Sequence, residues 1–131
     1  MGVERPLVVM VEDNPVDVDL VQLAFAREES PPTLLVYTTA EEVLALPRAE
    51  LDVVDCFAID PGLPGMSGQA LSSELQERGL GPTLLLAMSR QHAQILVEEE
   101  VCDGAATKSF SPLQLRSFLA AYHDGEKRIV V

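Results

Sequence analysis

An α/β domain with a parallel sheet covered on both faces is predicted from three observations: short apolar runs recur along the chain, stretches with helical spacing separate them, and the connections are short. The first run is Leu7-Val8-Val9-Met10-Val11, ending at Glu12 and Asp13. Asn14-Pro15 then reads as a helix cap with proline in the first turn, opening a helix over about 15–28 in which Leu20, Leu23, Ala24 and the Arg27 stem recur at helical spacing. Ser30-Pro31-Pro32 breaks the chain, and Thr33-Leu34-Leu35-Val36-Tyr37 is the second strand. A short helix from Thr39-Ala40-Glu41-Glu42 is stopped by Pro47, and Cys56-Phe57-Ala58-Ile59 forms the third strand, ending at Asp60.

The loop Pro61-Gly62-Leu63-Pro64-Gly65 leads to Ser67, the expected cap of a helix carrying Leu71 and Leu75 and closed near Gly79 and Gly81. Thr83-Leu84-Leu85-Leu86-Ala87 is the fourth strand, 91–101 a helix, and Gly104-Ala105-Ala106-Thr107 a fifth strand ending at Lys108. Ser111-Pro112 starts a last helix with Leu115, Phe118, Leu119 and Tyr122 on one face, Tyr122 being read as core. Five βα units result. The tail, 124–131, is compatible with fraying, with a peptide for a partner, or with an added edge pairing.

The 131 residues match one domain, and 47% hydrophobic residues suffice for an aliphatic interior. With 9 basic against 21 acidic residues the net charge is −12, which disfavours nucleic acid and anionic membranes as partners. Cys56 and Cys102 have no metal-type spacing and are expected to be free thiols. The stretch Met1 to Pro6 is too short and polar for a secretory signal, and no run approaches the ~20 apolar residues of a membrane span, so a cytoplasmic protein is expected.

Glu12, Asp13 and Asp60 all follow buried-strand patterns, which places them at carboxyl ends of strands, where open α/β sheets bind ligands. Clustered carboxylates repel one another unless a hard cation neutralises them, and magnesium suits oxygen ligands beside phosphate. Lys108 supplies one fixed positive charge at the same edge. His92 and His123 receive no role, and Glu98-Glu99-Glu100 reads as a solvated face.

Val9-Met10-Val11-Glu12-Asp13-Asn14, Ile59-Asp60-Pro61-Gly62-Leu63-Pro64-Gly65-Met66-Ser67-Gly68 and Lys108-Ser109-Phe110 together resemble the receiver domain of two-component response regulators over nearly the whole chain. The resemblance implies a flavodoxin-like (βα)5 three-layer sandwich with a parallel five-stranded sheet of order 2-1-3-4-5. Asp60 would accept a phosphoryl group from a histidine kinase or phosphotransfer protein. Glu12, Asp13, Asp60 and the Gly62 carbonyl would bind Mg2+, and Lys108 would pair with the phosphoryl group. Such a domain is a phosphoacceptor rather than an enzyme. It would signal to a downstream protein, or form a homodimer, through its fourth helix, fifth strand and fifth helix.

The chain departs from that pattern at four switch positions. Ala87 stands where a Thr or Ser hydroxyl is usual, and Ser89 lies two residues late, where a helix cap is its expected use. Met88 replaces a small residue and is long enough to cover part of the site. Ala105 replaces the aromatic switch residue, and Ser109 replaces a proline, where a cis bond would cost ~3 kcal/mol. Pro61 also removes a backbone donor beside Asp60. A phosphorylation-independent pseudo-receiver is therefore the rival reading. A phosphatase is disfavoured by Gly62, which stands where a second acid would be needed, and a flavin protein by the acidic loop Asp13-Asn14-Pro15.

Overall fold

The structure, a computed structural model, describes residues 5–131; Met1 to Glu4, part of the N-terminal stretch weighed above as a signal, lie outside them. Strands β1 (Leu7–Val11), β2 (Thr33–Tyr37), β3 (Cys56–Ile59), β4 (Thr83–Ala87), β5 (Gly104–Thr107) and β6 (Ile129–Val130) alternate with helices α1 (Pro15–Ala26), α2 (Ala40–Leu44), α3 (Arg48–Asp52), α4 (Gly68–Glu77), α5 (Arg90–Glu98) and α6 (Pro112–His123). The sheet order is β2-β1-β3-β4-β5-β6, all pairs parallel. The expected order of the first five strands therefore holds, and a sixth strand is added to it.

Period-two alternation sorts the strands' side chains into two cores. Val9, Val11, Phe57, Ile59, Leu85, Ala87 and Ala105 face α2 to α5. Val8, Met10, Cys56, Ala58, Leu84, Leu86 and Ala106 pack with Val21 and Phe25 of α1 and Leu115, Phe118 and Leu119 of α6. Each Val, Leu, Ile, Phe or Met side chain among them taken wholly out of water contributes roughly 1.5–3 kcal/mol before chain entropy is counted.

Helix starts follow the sequence signals. The side chains of Asn14, Ser67 and Ser89 accept hydrogen bonds from Val16, Ala70 and His92 N–H, while Thr39 with Glu42 and Ser111 with Gln114 form reciprocal capping boxes.

Three expectations need correction. In α1 the buried residues are Val21 and Phe25, whereas Leu20 and Leu23 are exposed. The helix carries apolar residues on both faces, and the sheet selects one. Pro47 does not merely stop α2: it is the N-cap of α3, because proline is tolerated where no intrahelical N–H is required. Tyr122 is half-buried rather than core.

The tail resolves as an edge pairing. Gly125 (φ +86°) reverses the chain after α6, and Ile129 N–H and Val131 N–H donate to Asp103 O (3.2 Å) and Ala105 O (3.0 Å). Ile129 is buried against the α1–α6 core. A Cβ on Gly104 would lie 2.6 Å from both Ile129 O and the Phe118 ring, so β6 can approach only because residue 104 is glycine.

Candidate functional site

The order of the sheet reverses at β1, whose neighbours β2 and β3 lead in opposite directions, so a crevice opens at the carboxyl ends of β1 and β3. Glu12 continues the parity of Val8 and Met10, Asp60 that of Cys56 and Ala58, and Lys108 that of Ala106. All three thus lean to the α1 side. Their backbones remain in the sheet ladder: Glu12 N–H donates to Tyr37 O (2.9 Å), Asp60 N–H to Val11 O (2.9 Å) and Lys108 N–H to Ala87 O (3.0 Å).

The side chains converge. Lys108 Nζ lies 3.3 Å from Glu12 Oε1, 3.3 Å from Asp60 Oδ2 and 3.2 Å from Asp17 Oδ2. Asp17, in the first turn of α1, was not anticipated; as sequence it reads as an ordinary acid complementing the helix dipole. Burial tends to lower the Lys108 pKa, but the hydrogen bond to Asp17 and the charges of Asp60 and Glu12 outweigh it and hold the ammonium protonated above its ordinary range.

Glu12 is 1% exposed and Asp60 5%, while Asp13 is open to solvent. Burial, followed by the adjacent Asp60 carboxyl, pushes the Glu12 carboxyl up to about 7, against the opposing effect of the Asn14 N–H. Glu12 Oε2 accepts that N–H at 3.2 Å, but Oε1, though near the ammonium, has no hydrogen-bond partner. An orphaned buried carboxylate oxygen is costly unless a proton or a cation meets it. Oxygens of Glu12, Asp13 and Asp60 lie within 4.8 Å of one another, a spacing and an all-oxygen chemistry that fit a hard divalent cation.

The loop after β3 is held tightly. Gly62 N–H donates to Asp60 Oδ1 (2.9 Å), supplying the donor that Pro61 lacks, so it is the amide of Gly62 that faces the carboxylate. A Cβ on Gly68 would fall 2.2 Å from Asp60 O, so the glycine of that motif allows α4 to start against the backbone of Asp60. Glu41 of α2, also unforeseen, accepts Met66 N–H (3.2 Å) beside Gly65, which adopts φ +71°.

At the divergent positions, Ala87 and Ala105 are buried and apolar, and the Ser89 hydroxyl is taken by the α5 cap. Met88 is 75% exposed, too solvated to be packed over the pocket as its length suggested, and its N–H donates to His92 Nδ1 (3.1 Å). The Lys108–Ser109 peptide is trans, so this turn differs from one built on a cis proline. Cys56 and Cys102 are free and buried, and burial raises both thiols above their ordinary value, which leaves neither as a nucleophile. Among the described residues, no helix is long and apolar enough to cross a membrane.

Among solved structures the chain is similar to the non-phosphorylated receiver domain of the stress response regulator RcsB from Escherichia coli: TM-score 0.72, 18% identity, covering 98% of this chain and 99% of that one. The fold is that of a response-regulator receiver domain. The chain is also similar to the phosphorylated cyanobacterial phytochrome response regulator RcpA, with TM-score 0.66, 22% identity and 92% of each chain covered. Against the response regulator ChrA of a heme-sensing two-component system the TM-score is 0.71 at 19% identity, over 97% of this chain; the chain spans 61% of ChrA's length. No family model matches the chain, and no curated protein matches it in sequence.

Proposed function

We propose that this receiver-fold protein accepts a phosphoryl group on Asp60 from a histidine kinase or phosphotransfer protein, with Glu12, Asp13, Asp60 and the Gly62 carbonyl holding Mg2+ and Lys108 pairing with the phosphoryl oxygens. The single observation that carries the reading is the gathering of Glu12, Asp60 and Lys108, distant in sequence, within 3.3 Å of one ammonium at a sheet switch point. Bound magnesium would neutralise the carboxylates and the incoming phosphoryl charge. Asp60 Oδ1 is held by Gly62 N–H, leaving Oδ2, beside the ammonium, as the attacking oxygen. Its bond to phosphorus forms as the bond from phosphorus to the donor atom breaks, the electron pair leaving with the donor. Lys108 offsets charge on the transferred group, and the rigid loop from Pro61 to Gly68 keeps the acceptor aligned. RcpA, similar to this chain, is phosphorylated in its solved structure.

Output in this reading passes through the surface of α5, β5 and α6 to a partner protein or a second copy, with β6 filling the edge of β5 between those helices. The absence of a hydroxyl at Ala87 and of an aromatic ring at Ala105 supports a second reading, a pseudo-receiver that binds partners without phosphate. Intact-mass measurement after incubation with a small-molecule phosphodonor and Mg2+ separates the two. A single phosphoryl adduct absent from Asp60→Asn is expected. No adduct on the wild-type chain supports the pseudo-receiver, and steady release of phosphate from a phosphomonoester would make the site a phosphatase instead.

A further inference from the structure

The Lys108 ammonium has three N–H donors and three carboxylate oxygens within 3.3 Å, yet the contact that meets hydrogen-bond geometry is the one to Asp17 Oδ2, at 3.2 Å. Glu12 Oε1 at 3.3 Å receives no hydrogen bond at all. The ammonium thus gives its hydrogen bond to the first turn of α1, while the acids of β1 and β3 stand at ion-pair distance. Asp17 also stands outside the trio of Glu12, Asp13 and Asp60 whose oxygens fit a divalent cation. Its carboxylate would keep its hold on Lys108 whether or not that trio is occupied.

We infer that Asp17 is a positioning residue that restrains Lys108 in a resting orientation, so that a phosphoryl group at Asp60 must compete with Asp17 for the ammonium. The inference rests on the reading of Asp60 as phosphoacceptor. Asp17 is placed to do this by the fold: Lys108 shares the parity of the strand residues that pack on α1, and Asn14-Pro15 starts α1 so that Asp17 falls in its first turn. A side chain that served only the helix dipole would not need to reach across 91 residues of sequence to β5.

The chain has two lysines, Lys108 and the exposed Lys127, so isotopic labelling at lysine Nζ gives two ammonium signals that can be told apart. In metal-free protein Asp17→Asn should speed exchange of the Lys108 ammonium protons with water, and Asp17→Glu should restore slow exchange. The phosphoryl mimic beryllofluoride, with Mg2+, should bind Asp17→Asn on the order of fivefold more tightly than wild type, the scale of one partly exposed ion pair. Asp19→Asn removes the same charge from an exposed position on the same helix and should leave the affinity unchanged. Equal or weaker binding by Asp17→Asn, with wild type binding normally, overturns the restraint while sparing the phosphoacceptor reading. Equal tightening by Asp19→Asn also overturns it, since net charge then suffices. Failure of wild type to bind the mimic at all removes both.

Discussion

Replacing Glu12 by Gln should stabilise the metal-free protein, although Glu12 is among the most deeply buried polar residues and lies beside a cation. A carboxyl shifted from 4.5 to about 7 is held in its charged form at a cost of roughly 3 kcal/mol, at ~1.4 kcal/mol per tenfold change in proton affinity. That figure already includes the favourable charge of Lys108. Allowing for solvent screening near the partly exposed lysine, and for an amide that must find its own partners, a gain of about 2 kcal/mol at pH 8 is expected. The sign reverses the usual carboxylate case. Because the folded-state value is raised, the stability associated with protonated Glu12 is complete below pH 4.5 and lost as pH rises through about 7. The advantage of Gln should therefore be full at pH 8 and vanish near pH 4.5. Urea unfolding of both proteins in chelator, at several pH values, measures it. A destabilised Glu12→Gln protein at pH 8, or a gain independent of pH, would refute the claim that charge confinement at Glu12 strains the resting site.

Other perturbations test the scaffold. Gly68→Ala places a methyl group 2.2 Å from Asp60 O, so it should cost about 3 kcal/mol or more in urea unfolding and reduce phosphoryl uptake by displacing the acceptor. Truncation after Asp124 removes two ladder hydrogen bonds and the buried Ile129 side chain, and should lower stability by roughly 2–4 kcal/mol, read as a fall in Tm. Thr83→Val keeps the shape of a wholly buried residue but strips Ser72 Oγ (2.8 Å) and Asp103 Oδ2 (3.3 Å) of a partner, and should cost about 1–3 kcal/mol in the same assay.

The strands were legible because each is a short apolar run closed by turn residues: β1, β2, β4 and β5 occupy the residues their runs delimit. α1 was not fully legible. Val16, Leu20 and Leu23 offer one apolar stripe and Val18, Val21 and Phe25 another, and only packing against β1 and β3 decides which is buried. A two-residue strand such as β6 has no periodicity to read. It is fixed by the fit of Ile129 beside Gly104, in the preceding strand, and Phe118, in the preceding helix. The acids at strand ends were visible because they interrupt apolar runs. Asp17 and Glu41 were not, since an acid in the first turn of a helix looks the same whether it complements the dipole or crosses the molecule to meet Lys108 or the Met66 amide.

Three segments distant in sequence gather their carboxylates and one ammonium in a single pocket, and a residue-resolved NMR titration with Mg2+ tests whether they meet one cation together. Backbone signals of 11–13, 59–62 and 107–108 should shift together with one affinity, and the shifts should weaken in Asp60→Asn. Shifts dispersed over exposed acids such as Glu98, Glu99 and Glu100, with the three segments unmoved, would contradict it.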